Sequence, residues 1–287
     1  MSGYPYRRGG RQRWLRACGI LLALAVAALW TAPAAPAAGT QVTWYGQAAF
    51  KVVTPNGGVI FIDPWLKNPK NPDKETLEKV TRADYILITH GHGDHVGQSV
   101  ELAKKTGAKL VAAAGLARNM VDLLGFPKDQ APRDLVGNIG GTMELKGTGA
   151  RVTLVAAIHS SEIALPKEAT HVTGRVTSGN PIGLVLQIDG GPTIYHTGDT
   201  DVFGDMRLIG KLFDVDLMLA CIGGHFTMDP KRAAVAVKMV NPATVVPMHY
   251  GTFGLLAGTP DELKAALAQR KSRTNVVVMN PGDTRTF

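Results

Sequence analysis

The heptapeptide Thr89-His90-Gly91-His92-Gly93-Asp94-His95 places three imidazoles and one carboxylate on a single short turn. The apolar run 85–88 before it predicts a buried strand, and residues 96–106 after it predict a helix. The two glycines let the backbone curl, so that alternate side chains converge at a rigid strand end. Imidazole and carboxylate are the ligands that zinc, iron and manganese use in proteins. The stretch therefore predicts a metal site, and a chance cluster of histidines in a loop is the weaker alternative.

Three further residues of metal-ligand type follow predicted strands. His159 ends the apolar strand 151–158, Asp199 follows the hairpin 182–196, and His249 follows the strand 244–247. In α/β folds such strand ends gather at one edge of the sheets, where ligands bind. A carboxylate that bridges imidazole-rich groups suits two metal ions about 3.5–4 Å apart, and such a pair lowers the pKa of a shared water to near neutrality.

The order of predicted elements indicates the fold class. Strands at 41–45, 48–54 and 57–62 open the chain, strands and helices then alternate up to a last strand at 275–279, and the second half repeats the broad form of the first. This order predicts two sheets with helices outside, an α/β four-layer α-β-β-α sandwich. Residues 160–180 show no convincing period and predict a long irregular loop, which in a compact domain is usually functional or mobile.

The N-terminus has the pattern of a secretory signal peptide. An arginine cluster within residues 7–16 precedes the apolar run 20–30, and small residues and prolines follow. We expect residues 1–38 to be removed, with Ala35-Pro36-Ala37 as one cleavage site, and residues 39–287 to form one domain. A retained anchor is the alternative, but the apolar run is shorter than the ~20 residues of a spanning helix. The expected location is therefore the periplasm or the exterior, with no membrane attachment after cleavage.

Charge and cysteine content limit the classes of partner. The net charge is +8, but without the five arginines of the signal the chain has 26 basic and 23 acidic residues. This near balance gives no reason to expect a nucleic-acid partner. Cys18 leaves with the signal, and Cys221 is alone in the mature chain, so we expect no disulfide. Because Cys221 lies inside the apolar run 217–222, we interpret it as a core residue.

The pattern H-x-H-x-D-H, followed in order by His159, Asp199 and His249, resembles the metallo-β-lactamase superfamily over residues 40–287. Residues 222–228 and 247–251 make the chain similar to the branch that includes the UPF0173 and ascorbate-6-phosphate lactonase-like hydrolases. The β-lactamase branch itself uses a cysteine ligand, which Cys221 does not match. The resemblance implies the following ligands: His90, His92 and His159 for metal 1, Asp94, His95 and His249 for metal 2, and Asp199 between them.

The resemblance also implies an activity. Two divalent ions, most simply Zn²⁺ with Mn²⁺ or Fe as alternatives, are expected to hold a bridging hydroxide that attacks an ester, lactone, amide or phosphodiester of a small molecule. Asp94 is expected to orient this nucleophile and to move a proton. Two alternatives stay open, a di-iron oxidoreductase on the same fold and a metal-binding module without catalysis. The complete ligand set argues against the second. A homo-oligomer is compatible with the sequence.

Three other residues are candidates for the site. His225 follows a predicted strand and two glycines, so it could bind substrate or protonate the leaving group, or else make a structural hydrogen bond. His196 is predicted to orient a ligand rather than to bind metal itself. Arg175, with Lys167, could attract an anionic substrate to the loop 160–180, for which a plain solvated loop is the alternative. His171 in the same loop is expected to be exposed.

Overall fold

A computed structural model describes residues 39–165 and 174–287 of the 287-residue chain. The predicted signal peptide lies outside the described residues, as do Lys167 and His171. Within the described ranges no helix is long and apolar enough to cross a membrane.

The described residues form sixteen strands and seven α-helices. The strands are β1 Gln41–Trp44, β2 Phe50–Val53, β3 Val59–Ile62, β4 Tyr85–Leu87, β5 Lys109–Ala113, β6 Val136–Gly137, β7 Thr142–Leu145, β8 Ala150–Ala156, β9 Glu162–Ala164, β10 Arg175–Thr177, β11 Ile182–Ile188, β12 Thr193–His196, β13 Leu217–Cys221, β14 Thr244–Met248, β15 Asn275–Val276 and β16 Thr284–Thr286. The helices are α1 Thr76–Lys79, α2 Gly93–Val96, α3 Ser99–Thr106, α4 Ala114–Leu124, α5 Met206–Phe213, α6 Pro230–Val240 and α7 Pro260–Gln269.

Two seven-stranded sheets share one plan. The first has the order β16-β1-β2-β3-β4-β5-β6 and the second the order β15-β14-β13-β12-β11-β8-β7. In the first sheet β16, β1, β2 and β3 pair antiparallel, and β3 to β6 pair parallel. In the second, β7, β8, β11 and β12 pair antiparallel, and β12 to β15 pair parallel. The second half of the chain thus repeats the form of the first, as predicted.

Alternate residues of β3 pack on opposite faces of the first sheet, because successive side chains of a strand point to opposite sides. Ile60 and Ile62 are fully buried in the apolar cluster that joins the two sheets. Phe61 is fully buried in a second cluster, together with Leu102 of α3 and Leu116 of α4. Each such side chain contributes roughly 1.5–3 kcal/mol by its burial. Helices α3 and α4 therefore cover the outer face of the first sheet.

Helices α6 and α7 pack against the second sheet, and the sequence marks where each begins. Asp229 precedes Pro230 and accepts a hydrogen bond from the amide of Arg232 at 2.8 Å. Thr259 and Glu262 form a reciprocal capping box at the start of α7. The apolar faces of both helices join the cluster that contains β13. The layers run helix, sheet, sheet, helix, which confirms the predicted four-layer α/β sandwich.

The helix predicted over residues 96–106 is in fact two helices. The metal-ligand motif itself begins α2, and Gly97 ends it with a φ of +45°. A Cβ on Gly97 would lie 2.4 Å from Cα of Trp65, so only glycine fits this close approach. Helix α3 then begins at Ser99.

The prediction of an irregular segment over residues 160–180 is wrong in part. Strands β9 and β10 pair antiparallel there, with Arg175 opposite Ala164. Ile163 is buried between exposed and half-buried neighbours, so the apolar alternation that indicates a strand is too short to detect. The edge strand β16 also lacks an apolar alternation, because all three of its side chains are exposed, and it was not predicted.

Candidate metal centre

The predicted ligands lie at one edge of the sandwich because the strands that precede them end there. In the first sheet, Asp63 follows β3 and the motif 90–95 follows the parallel strand β4. In the second sheet, His159 follows β8, Asp199 follows β12 and His249 follows β14. Strands β8 and β12 are both antiparallel to β11, and β14 runs with β12, so these three strands share one direction. The fold thus brings residues distant in sequence to a single edge.

The first group consists of His90, His92 and His159. One ligand nitrogen of each lies within 4.8 Å of the others. His90 Nε2 is 2.9 Å from His92 Nδ1, and the His159 ring stands nearly perpendicular to both rings, with centroids 5.1 Å away. Three converging imidazole nitrogens are a donor set that zinc uses in proteins.

The second group consists of Asp94, His95, Asp199 and His249, again with one ligand atom of each within 4.8 Å of the others. Asp199 Oδ1 is 3.3 Å from His95 Nε2, and Asp199 Oδ2 is 3.0 Å from His249 Nε2. The same Oδ2 is 3.6 Å from Nε2 of His159 in the first group. Asp199 therefore lies between the two groups and contacts both.

A buried carboxylate beneath the groups fixes two of the histidines. Asp63, at the end of β3, is fully buried, and its Oδ2 lies 2.7 Å from His95 Nδ1. The same oxygen accepts a hydrogen bond from Thr89 Oγ1 at 2.7 Å, and Thr89 Oγ1 is 3.0 Å from His90 Nδ1. Since the Nδ1 atoms of both rings are engaged there, their Nε2 atoms face the ligand groups. Metal-binding histidines commonly have this arrangement.

The orientation of two atoms indicates that a cation fits the second group. His95 Nε2 and Asp199 Oδ1 are buried without a hydrogen-bond partner among the described residues. They lie 3.3 Å apart but are not aligned for a hydrogen bond. A buried polar atom left unsatisfied costs roughly 1–3 kcal/mol. A metal ion coordinated by both atoms would satisfy them together, so the residues present fit the metal that the sequence predicts.

Glu162 orients another histidine of the first group by a direct contact, as Asp63 does for His95 of the second. It lies on β9, and its Oε2 is 2.9 Å from His92 Nε2. A proton on Nε2 leaves the Nδ1 lone pair of His92 directed toward His90. The Ser160 hydroxyl supports this carboxylate at 3.2 Å.

Gln47 contacts the second group from the turn between β1 and β2. Its Nε2 donates to Asp94 Oδ2 at 2.8 Å and lies 2.8 Å from His249 Nε2. The backbone carbonyl of Gln47 accepts hydrogen bonds from the His249 amide at 2.9 Å and from Trp44 Nε1 at 3.0 Å. The backbone of Gln47 has a φ of +50°, a strained value for a non-glycine residue that these contacts maintain.

His196 fixes the turn that carries Asp199. Its Nε2 donates to the carbonyl of Ala48 at 3.1 Å, and its Nδ1 accepts a hydrogen bond from the Gly198 amide at 3.1 Å. Both ring nitrogens are therefore engaged away from the ligand groups. The fully buried ring is placed to orient Asp199 through the backbone, and its burial lowers its pKa.

In the metal-free protein, burial and the neighbouring charges shift the pKa values of the clustered histidines and aspartates. Burial and the neighbouring His95 lower the pKa of His90 well below its usual value. Burial would raise the pKa of Asp199, but His249 and His95 outweigh it and hold this pKa well below its usual range. Burial likewise would lower the pKa of His249, but Asp199 raises it to about 9. Without metal, protons on the second group therefore balance its carboxylates, and a bound cation must displace them.

A cavity of about 580 Å³ opens onto both groups. Its floor consists of side chains from the two groups, namely His92, Asp94, His159, Asp199 and His249. Ser160, Glu162 and Arg175 line it from the segment that contains β9 and β10. Trp65, Phe226, Phe253 and Leu256 add apolar surface from the loops after β3, β13 and β14. The metal-ligand groups are thus accessible to a small molecule.

The remaining predicted residues are placed differently. Arg175 is exposed and lines this cavity. His225 is exposed with a φ of +55° and packs edge-on against Phe226, with ring centroids 4.4 Å apart. Phe226 lines the cavity and His225 does not. Cys221 is fully buried between the sheets, and burial raises the pKa of its thiol to about 11, as expected for an inert core residue.

Sequence reasoning missed three of the polar residues at the site. Asp63 had a usable signal, because it directly follows an apolar strand as the other candidates do. Gln47 lies in a turn with no distinctive pattern, and Glu162 lies in the segment predicted to be irregular. The apolar lining also escaped prediction, since its members come from three loops far apart in sequence.

Comparisons with known proteins agree with this geometry. The family profile described as a beta-lactamase superfamily domain matches residues 59–250. A UPF0173 metal-dependent hydrolase of Anaeromyxobacter sp. (strain K) is 54% identical over 256 residues, which is 89% of each chain. Another, from Thermodesulfovibrio yellowstonii, is 46% identical and covers 88% of this chain and 94% of its own. The solved structure of Igni18, described as a novel metallo hydrolase from Ignicoccus hospitalis, has a TM-score of 0.72 at 33% identity and covers 86% of this chain and 98% of its own.

The fold and the clustered histidine and aspartate ligands define a metal-dependent hydrolase on a metallo-β-lactamase fold. Relatives between 40% and 54% identical carry one family name. The chain belongs to the beta-lactamase superfamily and, within it, to the UPF0173 metal-dependent hydrolases. Because these relatives are hydrolases by name, the comparisons favour neither a di-iron oxidoreductase nor a metal-binding module without catalysis.

Proposed function

We propose that this protein hydrolyses a carboxylic ester or lactone with two divalent metal ions. The observation that carries the proposal is the position of Asp199, whose carboxylate contacts histidines of both ligand groups. His90, His92 and His159 would hold one ion, and Asp94, His95 and His249 the other. Five imidazoles and two carboxylates suit Zn²⁺. When bound, two such ions polarise the substrate oxygen and bring the pKa of a water molecule toward neutrality.

We assign to Asp94 the role of orienting the attacking water. Asp94 lines the cavity, and its Oδ2 already contacts Gln47 and the histidines of the second group. Its Oδ1 makes no hydrogen bond to a described residue, so this atom is free to accept one from the attacking water. Histidines 95 and 249 hold the pKa of Asp94 below its usual value against the effect of burial, which keeps it an acceptor.

The choice of an ester or lactone rests on the groups that could protonate a leaving group. An amide nitrogen leaves only when it is protonated, whereas an alkoxide or phenoxide is a better leaving group. Among the described residues, the non-ligand polar side chains of the cavity are Gln47, Ser160, Glu162 and Arg175. The pKa of Glu162 is lowered, first by its hydrogen bond to His92, so it is ionised at neutral pH and donates no proton. These features favour esters and lactones over amides.

We further propose that Arg175 attracts an anionic group of the substrate. Arg175 is exposed and lines the cavity, so its positive charge would attract an anionic group of a ligand bound there. Arg175→Ala should raise KM for an anionic substrate and leave metal content intact.

We also propose that the protein acts outside the cytoplasm. This proposal rests on the signal-like residues 1–38. Sequencing of the exported protein should find an N-terminus near Ala38, and one at Met1 would contradict cleavage.

A substrate panel tests the central proposal. The metal-loaded mature protein should hydrolyse p-nitrophenyl esters and lactones faster than the matching anilides and bis-p-nitrophenyl phosphate, and chelation should abolish the activity. Asp94→Asn should lower kcat and retain the fold. Comparable rates on anilides would overturn the choice of bond, and full activity after complete removal of metal would overturn the metal mechanism.

A further inference from the structure

One side of the cavity is apolar and is assembled from three separate loops. Trp65 comes from the loop after β3, Phe226 from the loop after β13, and Phe253 and Leu256 from the loop after β14. The rings of Trp65 and Phe253 stack with centroids 5.9 Å apart and an interplanar angle of 24°. We call these four side chains the aromatic wall. The stacking joins a loop of the first sheet to a loop of the second.

The aromatic wall continues onto the surface. Phe226 is 54% exposed and Phe253 is 46% exposed, and Leu255, which lies between Phe253 and Leu256 in the same loop, is 56% exposed. Large apolar side chains exposed together cost solvation free energy, and such patches usually mark a binding site. Phe226 and Phe253 belong to neither core cluster, whereas Leu256 of the wall is 1% exposed.

Charged side chains lie on a different part of the lining. Apart from the ligand groups, the charged residues that line the cavity are Glu162 and Arg175, which lie on β9 and β10. Glu162 contacts His92 of the first group. Two members of the aromatic wall, Phe253 and Leu256, lie instead in the loop that follows His249 of the second group. The charged non-ligand side chains of the cavity thus come from β9 and β10, and its apolar side chains come from other loops.

We propose that the aromatic wall binds an apolar alkyl or aryl group of the substrate, with the polar part of the substrate directed toward Arg175. This inference rests on the proposed function, since it names the substrate class of the same site. The cavity of about 580 Å³ lies within the range of about 300–1,000 Å³ of ligand sites, so it can hold such a group beside the reacting bond. Substrates are then lipophilic esters or lactones rather than small polar ones.

The proposal predicts a dependence on chain length. Each methylene buried on the wall should lower Kd by a factor of up to about four, as expected from the burial of apolar surface. The dependence should stop where the chain extends beyond the wall. Truncation of Phe253 should reduce the factor per methylene, because this ring supplies one face of the wall and also positions Trp65.

The test measures binding without turnover. Butanoate, hexanoate, octanoate and decanoate are titrated into the metal-loaded mature protein by calorimetry. We expect Kd to fall by about two- to fourfold per methylene for the parent protein. Phe226→Ala and Phe253→Ala should flatten the series with unchanged metal content. Leu212→Ala is the matched control, because Leu212 is 69% exposed on α5 and does not line the cavity.

Three results would overturn the proposal. A Kd that is independent of chain length in the parent protein removes the apolar subsite. Equal flattening by Leu212→Ala shows that the dependence is not specific to the wall. Binding to phosphatidylcholine vesicles that is lost in Phe226→Ala, without any chain-length dependence for free alkanoates, assigns the wall to a membrane surface instead. Because no step requires hydrolysis, a protein that shows the series but cleaves no ester retains the subsite and loses only the proposed activity.

Discussion

Asp63 Oδ2 lies 2.7 Å from Nδ1 of His95, with both side chains fully buried. The same oxygen reaches His90 through the hydroxyl of Thr89. His90 belongs to the first ligand group and His95 to the second. One carboxylate therefore orients a histidine in each group, and the Thr89 amide holds that carboxylate through Oδ1 at 2.8 Å. Asp63 therefore couples the two groups although it belongs to neither.

Replacement of Asp63 by alanine should weaken both metal sites. Loss of a carboxylate that orients a ligand histidine typically costs 10–100-fold in metal affinity. Because Asp63 serves one histidine directly and another through Thr89, we expect both dissociation constants to rise, the second-group constant by about 100-fold. Competition with a chromophoric chelator measures the two constants.

Asp84→Ala is a matched control for that variant. Asp84 precedes β4 at the opposite end from the motif, and its Oδ2 accepts a hydrogen bond from the Val59 amide at 2.7 Å. Its loss should reduce stability by about 1 kcal/mol and leave metal affinity unchanged. If Asp84→Ala weakened metal binding as much as Asp63→Ala, the effect of Asp63 would be one of general stability.

Glu162→Ala should affect the first group alone. Glu162 contacts His92 and no residue of the second group, and a third of its side chain is exposed. Water can replace part of this hydrogen bond, so we expect a loss of about tenfold in the first constant, at the lower end of the usual range. Calorimetric titration of metal into the apoprotein separates the two binding events. Equal weakening of both events would contradict this separate role.

The candidate ligands could be recognised in the sequence because each comes shortly after an apolar strand. The chemistry of His90, His92, Asp94 and His95 is visible within six residues, and the strand ends at His159 and His249 are equally plain. Strand direction then places them at one edge of the sheets. Local pattern and topology were sufficient for the fold and for the positions of these side chains.

The residues that support the ligands could not be predicted in this way. Glu162 reaches His92 across 70 positions and Gln47 reaches His249 across 202, so their roles depend on tertiary contacts. Glu162 lies on a strand with one buried apolar residue, and Gln47 lies in a turn. Neither position has a periodic pattern. Pattern reasoning identifies buried faces, and it does not identify which polar side chain a loop directs at a site.

Asp199→Ala should change the metal stoichiometry. Its carboxylate contacts His95 and His249 in the second group and His159 in the first, so both ions would lose a shared negative ligand. We expect two equivalents in the parent protein and fewer in the variant, with activity abolished. Elemental analysis after gel filtration measures the ratio. Asp201→Ala is the control, because Asp201 pairs with Arg232 outside the ligand groups. Two full equivalents in Asp199→Ala would contradict a bridging role.

Metal binding should release protons from the second group and should tighten as the pH rises. Asp199 raises the pKa of His249 to about 9 against the effect of burial, so the metal-free residue is protonated at pH 7. Asp199 and Asp63 likewise overcome burial to raise the pKa of His95. A cation binds only the neutral imidazoles, so between pH 6 and 8 the apparent affinity should rise about tenfold per pH unit for each proton displaced. Above about pH 9 the contribution of His249 should disappear.

Calorimetry in buffers of different ionisation enthalpy counts these protons. We expect about two protons for the ion of the second group. The ion of the first group should release fewer, because burial lowers the pKa values of His90 and His159. An apparent affinity for the second ion that does not change between pH 6 and 8 would contradict the protonation of His95 and His249.

His225→Ala tests whether this histidine donates a proton during catalysis. The sequence allowed that role, but the side chain is exposed beside Phe226 and does not line the cavity. Removal of a general acid usually lowers kcat by ~10²–10⁴-fold, and more for poor leaving groups than for good ones. From its position we expect His225→Ala to keep kcat within about threefold on both phenyl and alkyl esters. Asp94→Asn, assayed in parallel, should lower kcat on both, because Asp94 belongs to the second group and its side chain lines the cavity. A large loss in His225→Ala confined to alkyl esters would restore the histidine as the acid, and it would require the loop after β13 to bring that ring over the ligand groups when substrate binds.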